Sequence, residues 1–421
     1  MEFNDPLIAV FVFAIGCCVG SFLNVVVWRL PRGESLVTPP SACPKCGHKL
    51  SPRDNIPVLG WLILRGRCRY CKNPISPKYP VVELLVGLLF AGHYWLLFRG
   101  GWGPYEVTLV QTLYGTLTPV TRVPLLDRDW PVLVLHLWLI GALLAATLID
   151  WEHFIIPAEI TRYTMIVGLV IHTLGRPAGS LGHLHFSPAW QAAALGGGVG
   201  LLVSLALLRA GLMKRSFEDD APMLEHEREA KAKSDAEAGD APPEVDPWTP
   251  ARIRKEMRLE MLFVLVPILL AAAAMAAVAY LPAVASAWQP VVTQRQIGGF
   301  LGAILGGLVG GGVIWLVRIL GSYGFGREAM GLGDVHLMFA VGCCLGPGPA
   351  TAAFFLAPAA ALCIALPAFV FNGRRELPFG PYLSLATYAT MLFYTPIKAY
   401  LEPGVTGLIW AFQSATTGGT P

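Results

Sequence analysis

Apolar residues run through this chain in long, nearly uninterrupted blocks, and the polar positions gather in the gaps between them. About 20 apolar residues is the length of helix that crosses a bilayer. On that measure helices are expected near 7–29, 80–98, 131–150, 159–175, 190–210, 260–284 and 297–320. The stretch 335–346 is short for a full crossing and ends at Gly346-Pro347-Gly348-Pro349, whereas 350–371 and 380–412 are long enough to span. The pattern predicts an all-α, polytopic integral membrane protein with eight or nine crossings.

Composition narrows the class further. With 54% hydrophobic and 14% charged residues over 421 positions, the chain holds more apolar surface than a soluble core absorbs, which excludes a soluble enzyme. Met1-Glu2-Phe3-Asn4-Asp5 is acidic and carries no Lys or Arg ahead of the first apolar block. That block is therefore expected to stay as a helix, since a cleaved signal peptide begins with a basic stretch.

The formal charge of +3 says little, but the positions of the basic residues say more. Residues 29–79 hold ten Lys and Arg, residues 211–259 hold nine, and Arg374 and Arg375 sit together after another apolar block. The intervening loops are poor in them: Arg99, Arg122 and Arg128 in 99–130, Arg176 in 176–189, Arg295 in 285–296. Basic loops stay on the cytoplasmic side, so the N-terminus is expected outside and residues 31–79 inside. Lys214 to Arg258 is rich in Glu, Asp, Lys, Ala and Pro and nearly devoid of aromatics; it cannot bury enough apolar surface to fold alone. The expected organisation is a first transmembrane helix (1–30), a cytoplasmic loop domain (31–79), a membrane block (80–210), a flexible linker (211–259) and a second membrane block (260–421). No internal repeat is apparent.

The loop 31–79 carries Cys43-Pro44-Lys45-Cys46, a gap of 21 residues, then Cys68-Arg69-Tyr70-Cys71. Two such pairs are a structural zinc spacing, because each short turn points two sulfurs inward and four thiolates close a tetrahedral shell. Gly47 suits the positive φ that such a turn needs, while the second turn has Lys72 at the matching place. Two disulfides or four free thiols are the rival readings, and a reducing cytoplasmic side favours the metal. His48 is near enough to compete as a ligand. Cys17, Cys18, Cys343, Cys344 and Cys363 lie inside apolar blocks and are expected to pack as small hydrophobes.

Two carboxylates stand in apolar surroundings, where ionisable groups are costly and signal function. Asp150 ends the run Leu143 to Ile149, and Asp334 closes Gly331-Leu332-Gly333-Asp334 at the start of the next short block. The charge map puts both at similar depth on the cytoplasmic side. Two carboxyls that share one proton can activate water and protonate a leaving amine, which is aspartyl protease chemistry inside a bilayer. The alternative is that Asp150 marks a helix end and Asp334 caps a helix start. Glu152, His153 and His336 flank the pair and either tune it or contact headgroups and water.

An ordered set of motifs then resembles a known family. Gly20-Ser21-Phe22-Leu23-Asn24-Val25-Val26 with Arg29-Leu30-Pro31, the four-cysteine loop, Tyr79-Pro80-Val81-Val82-Glu83-Leu84, the Asp150 to Thr161 segment, Gly331-Leu332-Gly333-Asp334 and Leu377-Pro378-Phe379-Gly380-Pro381 occur in the order found in type IV prepilin peptidases. These are aspartic membrane proteases of the Gly-x-Gly-Asp kind. The resemblance implies cleavage of the basic leader of type IV prepilins and pilin-like secretion subunits after a glycine, at the cytoplasmic face of the inner membrane. It further implies N-methylation of the new terminus with S-adenosylmethionine. Carried over, it makes Asp150 and Asp334 catalytic, Cys43, Cys46, Cys68 and Cys71 zinc ligands, and Gly331, Gly333, Pro157 and Gly380 supporting residues.

The methyl-donor site is mapped only to the cysteine loop, with Gly66, Arg53, Asp54 and Glu83 as candidates; no glycine-rich nucleotide fingerprint occurs there. The partners implied are the pilin substrates and the lipid bilayer, with no nucleic acid. Many relatives have Pro-Asp where this chain has Pro157-Ala158-Glu159, and Lys where it has His336. The charged linker is also longer than is usual. Two other readings stay open: a peptidase whose zinc loop only braces the cytoplasmic face, and a metal transporter or sensor that uses the cysteines as its binding site.

Overall fold

The apolar blocks fold as helices in the computed structural model, which describes residues 5–98, 108–111, 117–120, 125–174, 184, 186–217, 249–372 and 378–417. In chain order these are α1 (Asp5–Arg29), α2 (Leu59–Ile63), α3 (Lys78–Phe98), α4 (Leu126–His153), α5 (Ala158–Leu174), α6 (Pro188–Arg209) and α7 (Pro250–Tyr280). They continue as α8 (Pro282–Val292), α9 (Arg295–Phe325), α10 (Leu332–Leu345), α11 (Pro347–Asn372) and α12 (Gly380–Thr417). Every apolar block of the sequence has its helix. Among the described residues six helices, α1, α3, α4, α6, α7 and α9, are long and apolar enough to cross a membrane, and α10 and the Pro347–Cys363 part of α11 are shorter apolar helices. The chain is a helical membrane protein.

Two features depart from the expected pattern. A small antiparallel hairpin, β1 (Thr108–Gln111) against β2 (Leu117–Val120), lies between α3 and α4 and pairs Thr108 with Val120. In addition α7 begins at Pro250, within the stretch read from composition as linker. Thr249 caps it by accepting the Arg252 N–H at 3.4 Å, and Pro250 sits in the first turn, where a missing N–H costs nothing. Ile253, Met257 and Glu260 are buried on one face of this charged extension; their spacing of three and four residues holds it against α9. The rest of the expected linker, 218–248, lies outside the described residues.

The main core joins α1, α3, α4, α10, α11 and α12 through fully buried side chains such as Val86, Leu139, Ile149, Met338 and Leu383. In lipid there is little hydrophobic drive between helices, so close backbone approach carries the packing. At the crossing of α9 and α10 a β-carbon on Gly306 would collide with the Gly342 carbonyl, so this contact requires glycine and fixes the height of α10. Of the cysteines expected to pack, Cys17, Cys343 and Cys344 are buried, while Cys18 and Cys363 are exposed on their helices.

Candidate active site and metal centre

Asp150 lies in the last turn of α4. The helix stops at Phe154, which takes the left-handed conformation (φ 56°) and donates its N–H to the Asp150 carbonyl at 2.9 Å. The chain then runs through Ile156 and Pro157 into α5, where the Pro157 carbonyl accepts the Ile160 N–H at 3.2 Å. Asp334 sits in the first turn of α10 after the helix-capping residue Gly331. A carboxylate there is favoured by the helix dipole and can reach back toward the capping residue; a β-carbon placed on Gly331 would stand 3.6 Å from Asp334 Oδ2.

The two carboxyls are 6% and 8% exposed and close enough to interact electrostatically. Ile156 is the wedge between their supports, since β-carbons placed on Gly333 and Gly380 would each stand 3.2 Å from an Ile156 carbon. Gly380 opens α12, and its N–H donates to Asp150 Oδ2 at 3.0 Å. A β-carbon there would stand 2.5 Å from the same oxygen. Gly380→Ala is therefore expected to push the Asp150 carboxylate aside. Because a misplacement near 1 Å at a reacting group costs roughly 100-fold in rate, any reaction that uses this carboxylate should slow by about that factor in the folded variant, as turnover kinetics would read.

The flanking residues are placed differently. Glu152 pairs with Lys78, the first residue of α3, at 3.8 Å, while His336 is exposed on α10. The Lys78–Glu152 contact ties the exit of the cysteine loop to the end of α4 that carries Asp150.

In that loop the two knuckles share one backbone pattern. Gly47 N–H donates to the Cys43 carbonyl at 2.8 Å and Lys72 N–H to the Cys68 carbonyl at 3.0 Å, with φ of 70° at Gly47 and 60° at Lys72. Lys72 thus accepts the strained conformation that Gly47 takes freely. The four sulfurs lie within 4.8 Å of one another, and Cys43 Sγ is 3.8 Å from Cys71 Sγ. A tetrahedral zinc with bonds of about 2.3 Å needs sulfurs about 3.8 Å apart, so the cluster has the size for a metal ion. Backbone N–H groups of Cys46 and Lys45 lower the Cys43 thiol, and that of Asn73 brings Cys71 down to about 6. Both shifts favour the thiolates that ligation needs; at Cys46 the His48 N–H pulls the same way, but burial and the three other sulfurs outweigh it and push that thiol up to about 11. His48 instead stacks on Tyr70 of the other knuckle, ring centroids 3.7 Å apart.

The residues considered for a methyl donor brace the loop. Asp54 takes Arg69 in a two-pronged pair, Nη2 to Oδ1 at 2.5 Å and Nε to Oδ2 at 2.9 Å, and the guanidinium holds its carboxyl below the usual range. Glu83 accepts the Val58 N–H at 2.6 Å, anchoring the loop to α3. Gly66, at φ 67°, packs against Trp61, and Arg53 is exposed.

Sequence reasoning missed a second charged group at this end of the bundle. Arg318 of α9 and Glu260 of α7 form a buried pair at 3.1 Å, both side chains 2–3% exposed, and Arg318 also reaches Glu328. The signal was present: an arginine near the end of an apolar block is as costly as an aspartate there.

Comparison with known proteins gives two family matches: residues 14–97 to the Bacterial Peptidase A24 N-terminal domain, and residues 137–214 to the Type IV leader peptidase family. The first includes the cysteine loop and the second Asp150, while Asp334 lies beyond both. A prepilin leader peptidase/N-methyltransferase of Myxococcus xanthus is 41% identical over 191 residues, 45% of this chain and 46% of the relative. A type 4 prepilin-like proteins leader peptide-processing enzyme of Escherichia coli is 35% identical over 173 residues, 37% of this chain and 53% of the relative. A Klebsiella pneumoniae prepilin leader peptidase/N-methyltransferase is 50% identical over 86 residues, 19% of this chain and 38% of the relative. The chain thus spans about half or less of the length of these relatives. No solved structure matches it.

Proposed function

We propose that this chain, a member of the type IV leader peptidase family, removes the leader of type IV prepilins and pilin-like secretion subunits and methylates the new N-terminus. The observation that carries the reading is the meeting of two carboxyls from separate membrane blocks: Asp150, held by the Gly380 N–H, and Asp334, beside the helix-capping Gly331, within electrostatic reach of each other. One carboxylate takes a proton from water as its oxygen attacks the scissile carbonyl. The other, protonated, gives its proton to the carbonyl oxygen, and collapse of the tetrahedral intermediate delivers a proton to the leaving amine. In this reading Gly333 and Gly380 keep the cleft free of side chains where an extended peptide must pass.

The basic loops lie on the cytoplasmic side of the inner membrane, the side from which the leader arrives, while the apolar pilin segment enters from the bilayer. Cys43, Cys46, Cys68 and Cys71 hold zinc as a closed, structural site. S-adenosylmethionine supplies the methyl group, and the exposed Arg53 is the candidate contact for it in this loop.

A narrower reading, cleavage without methylation, is favoured by the bracing roles of Asp54, Glu83 and Gly66. Incubating the purified full chain with a prepilin and S-adenosylmethionine, then weighing the products, separates the two. Loss of the leader with a gain of about 14 Da on the mature N-terminus is expected. Leader loss without that gain leaves the peptidase alone, and an uncut prepilin removes the whole proposal.

A further inference from the structure

The buried arginine of α9 reaches the Gly-x-Gly-Asp segment through a single peptide unit. Arg318 uses every nitrogen of its guanidinium. Nε and Nη2 grip Glu260, at 3.1 Å to Oε2 and 3.1 Å to Oε1, while Nη1 donates to Glu328 Oε1 at 2.5 Å and to the Met330 carbonyl. One turn further along α9, Ser322 Oγ accepts the Ala329 N–H at 2.9 Å. Glu328, Ala329 and Met330 are thereby fastened to α9 immediately before Gly331. The Met330 carbonyl and the Gly331 N–H belong to one planar peptide. Gly331 caps α10 beside the Asp334 carboxylate, a β-carbon on it standing 3.6 Å from Oδ2, and Arg318 itself lies within electrostatic reach of Asp334.

We infer that Arg318 is a positioning residue of the proteolytic site, fixing the Met330–Gly331 peptide and with it the helix start that aims Asp334 at the scissile bond. This rests on the assignment of Asp334 to the catalytic pair. Glu260 keeps the guanidinium in place: its carboxylate also accepts Trp315 Nε1–H at 2.8 Å and the Ser216 hydroxyl at 3.2 Å. The fork matters, since one lysine ammonium is a point charge that cannot hold Glu260 along one edge and still present a donor to Met330 along another.

Removing Arg318 alone would strand a buried carboxylate, so the test neutralises both partners. Glu260→Gln/Arg318→Met removes the two charges together, a change that buried ion pairs often tolerate. The amide oxygen introduced at position 260 can still take the Trp315 N–H, so that donor keeps its acceptor. In the full chain, with a type IV prepilin whose basic leader ends in glycine, kcat for cleavage is expected to fall about 100-fold with KM within about twofold. Methylation of a prepilin supplied already cut should keep its rate. Arg318→Lys, measured by itself, keeps the charge against Glu260 and is expected to lose about tenfold in kcat, again at constant KM. A folded form of either variant that cleaves at the wild-type kcat, or one whose loss lies in KM, overturns the inference. Asp334→Asn is run beside them: if it cleaves normally the assignment of the catalytic pair has failed, whereas an inactive Asp334→Asn beside a fully active Arg318 variant removes only the role of Arg318.

Discussion

Asp150→Asn and Asp334→Asn should each stop leader cleavage, by at least about 1,000-fold, in a protein that still folds. The amide keeps the size of the carboxyl, and at Asp150 its oxygen can still accept the Gly380 N–H that now bonds Oδ2 at 3.0 Å. It cannot exchange a proton with water or with the leaving amine. General acid and base steps each contribute about 100- to 10,000-fold, and in the proposed mechanism one residue serves in both directions as the pair exchanges its proton. Methylation of a pre-cut prepilin is expected to survive in both variants, because the cysteine loop reaches the Asp150 end of α4 only through the Lys78–Glu152 pair at its exit, among the described contacts. Single-turnover cleavage in membranes measures the first effect, and methyl incorporation into mature pilin the second. Normal cleavage by either variant would sink the dyad.

The helices and the knuckles were legible from the chain because their causes are local. An apolar block of bilayer length has to become a helix, since nothing else satisfies its backbone in lipid. Gly47 after Cys46 forecasts the left-handed turn that the structure contains at φ 70°. The contacts that make a site were beyond reach for a physical reason. Gly380 and Asp150 are 230 positions apart, and helices apolar on every side give no periodicity to say which faces meet. For Asp334 the sequence provided a depth and a glycine-rich approach, but not the Arg318-bound peptide ahead of it or the Ile156 wedge beside it. Composition also misplaced the start of α7, because Arg252, Arg254, Lys255, Glu256 and Arg258 read as solvent-exposed linker. What they decorate is a helix whose other face is anchored by Ile253, Met257 and Glu260. Arg318 shows the same limit from the other direction: its oddity was visible in the sequence, its partner was not.

Removing the metal should separate the two activities. In the proposed site four thiolates around one zinc would leave no open position for water or substrate, so the ion would contribute to the folding of the loop and not to bond breaking. Structural zinc contributes on the order of 10–16 kcal/mol of apparent binding energy in small peptides, far more than the rest of this loop can supply. Across residues 34–77 the described secondary structure is one short helix and two isolated bridges, Ala42 with Lys49 and Arg67 with Pro74. Cys68→Ser/Cys71→Ser is therefore expected to lose about one zinc per chain by elemental analysis and to melt the loop, seen as rapid proteolysis between α1 and α3. Methylation should then disappear, whereas leader cleavage should persist within about tenfold, because Asp150 and Asp334 are held by α4, α10 and α12. Damage to the loop would spread into the bundle through the Glu83–Val58 bond and through Arg29, which donates to the Ser35 and Pro39 carbonyls. Those links join the loop to α3 and α1, and among the described contacts only the exposed Lys78–Glu152 pair reaches the aspartate-bearing α4 from the loop's exit. Equal loss of both activities in the zinc-free variant would mean that the loop shapes the proteolytic cleft itself, and full methylation without zinc would remove the cysteine cluster from that reaction.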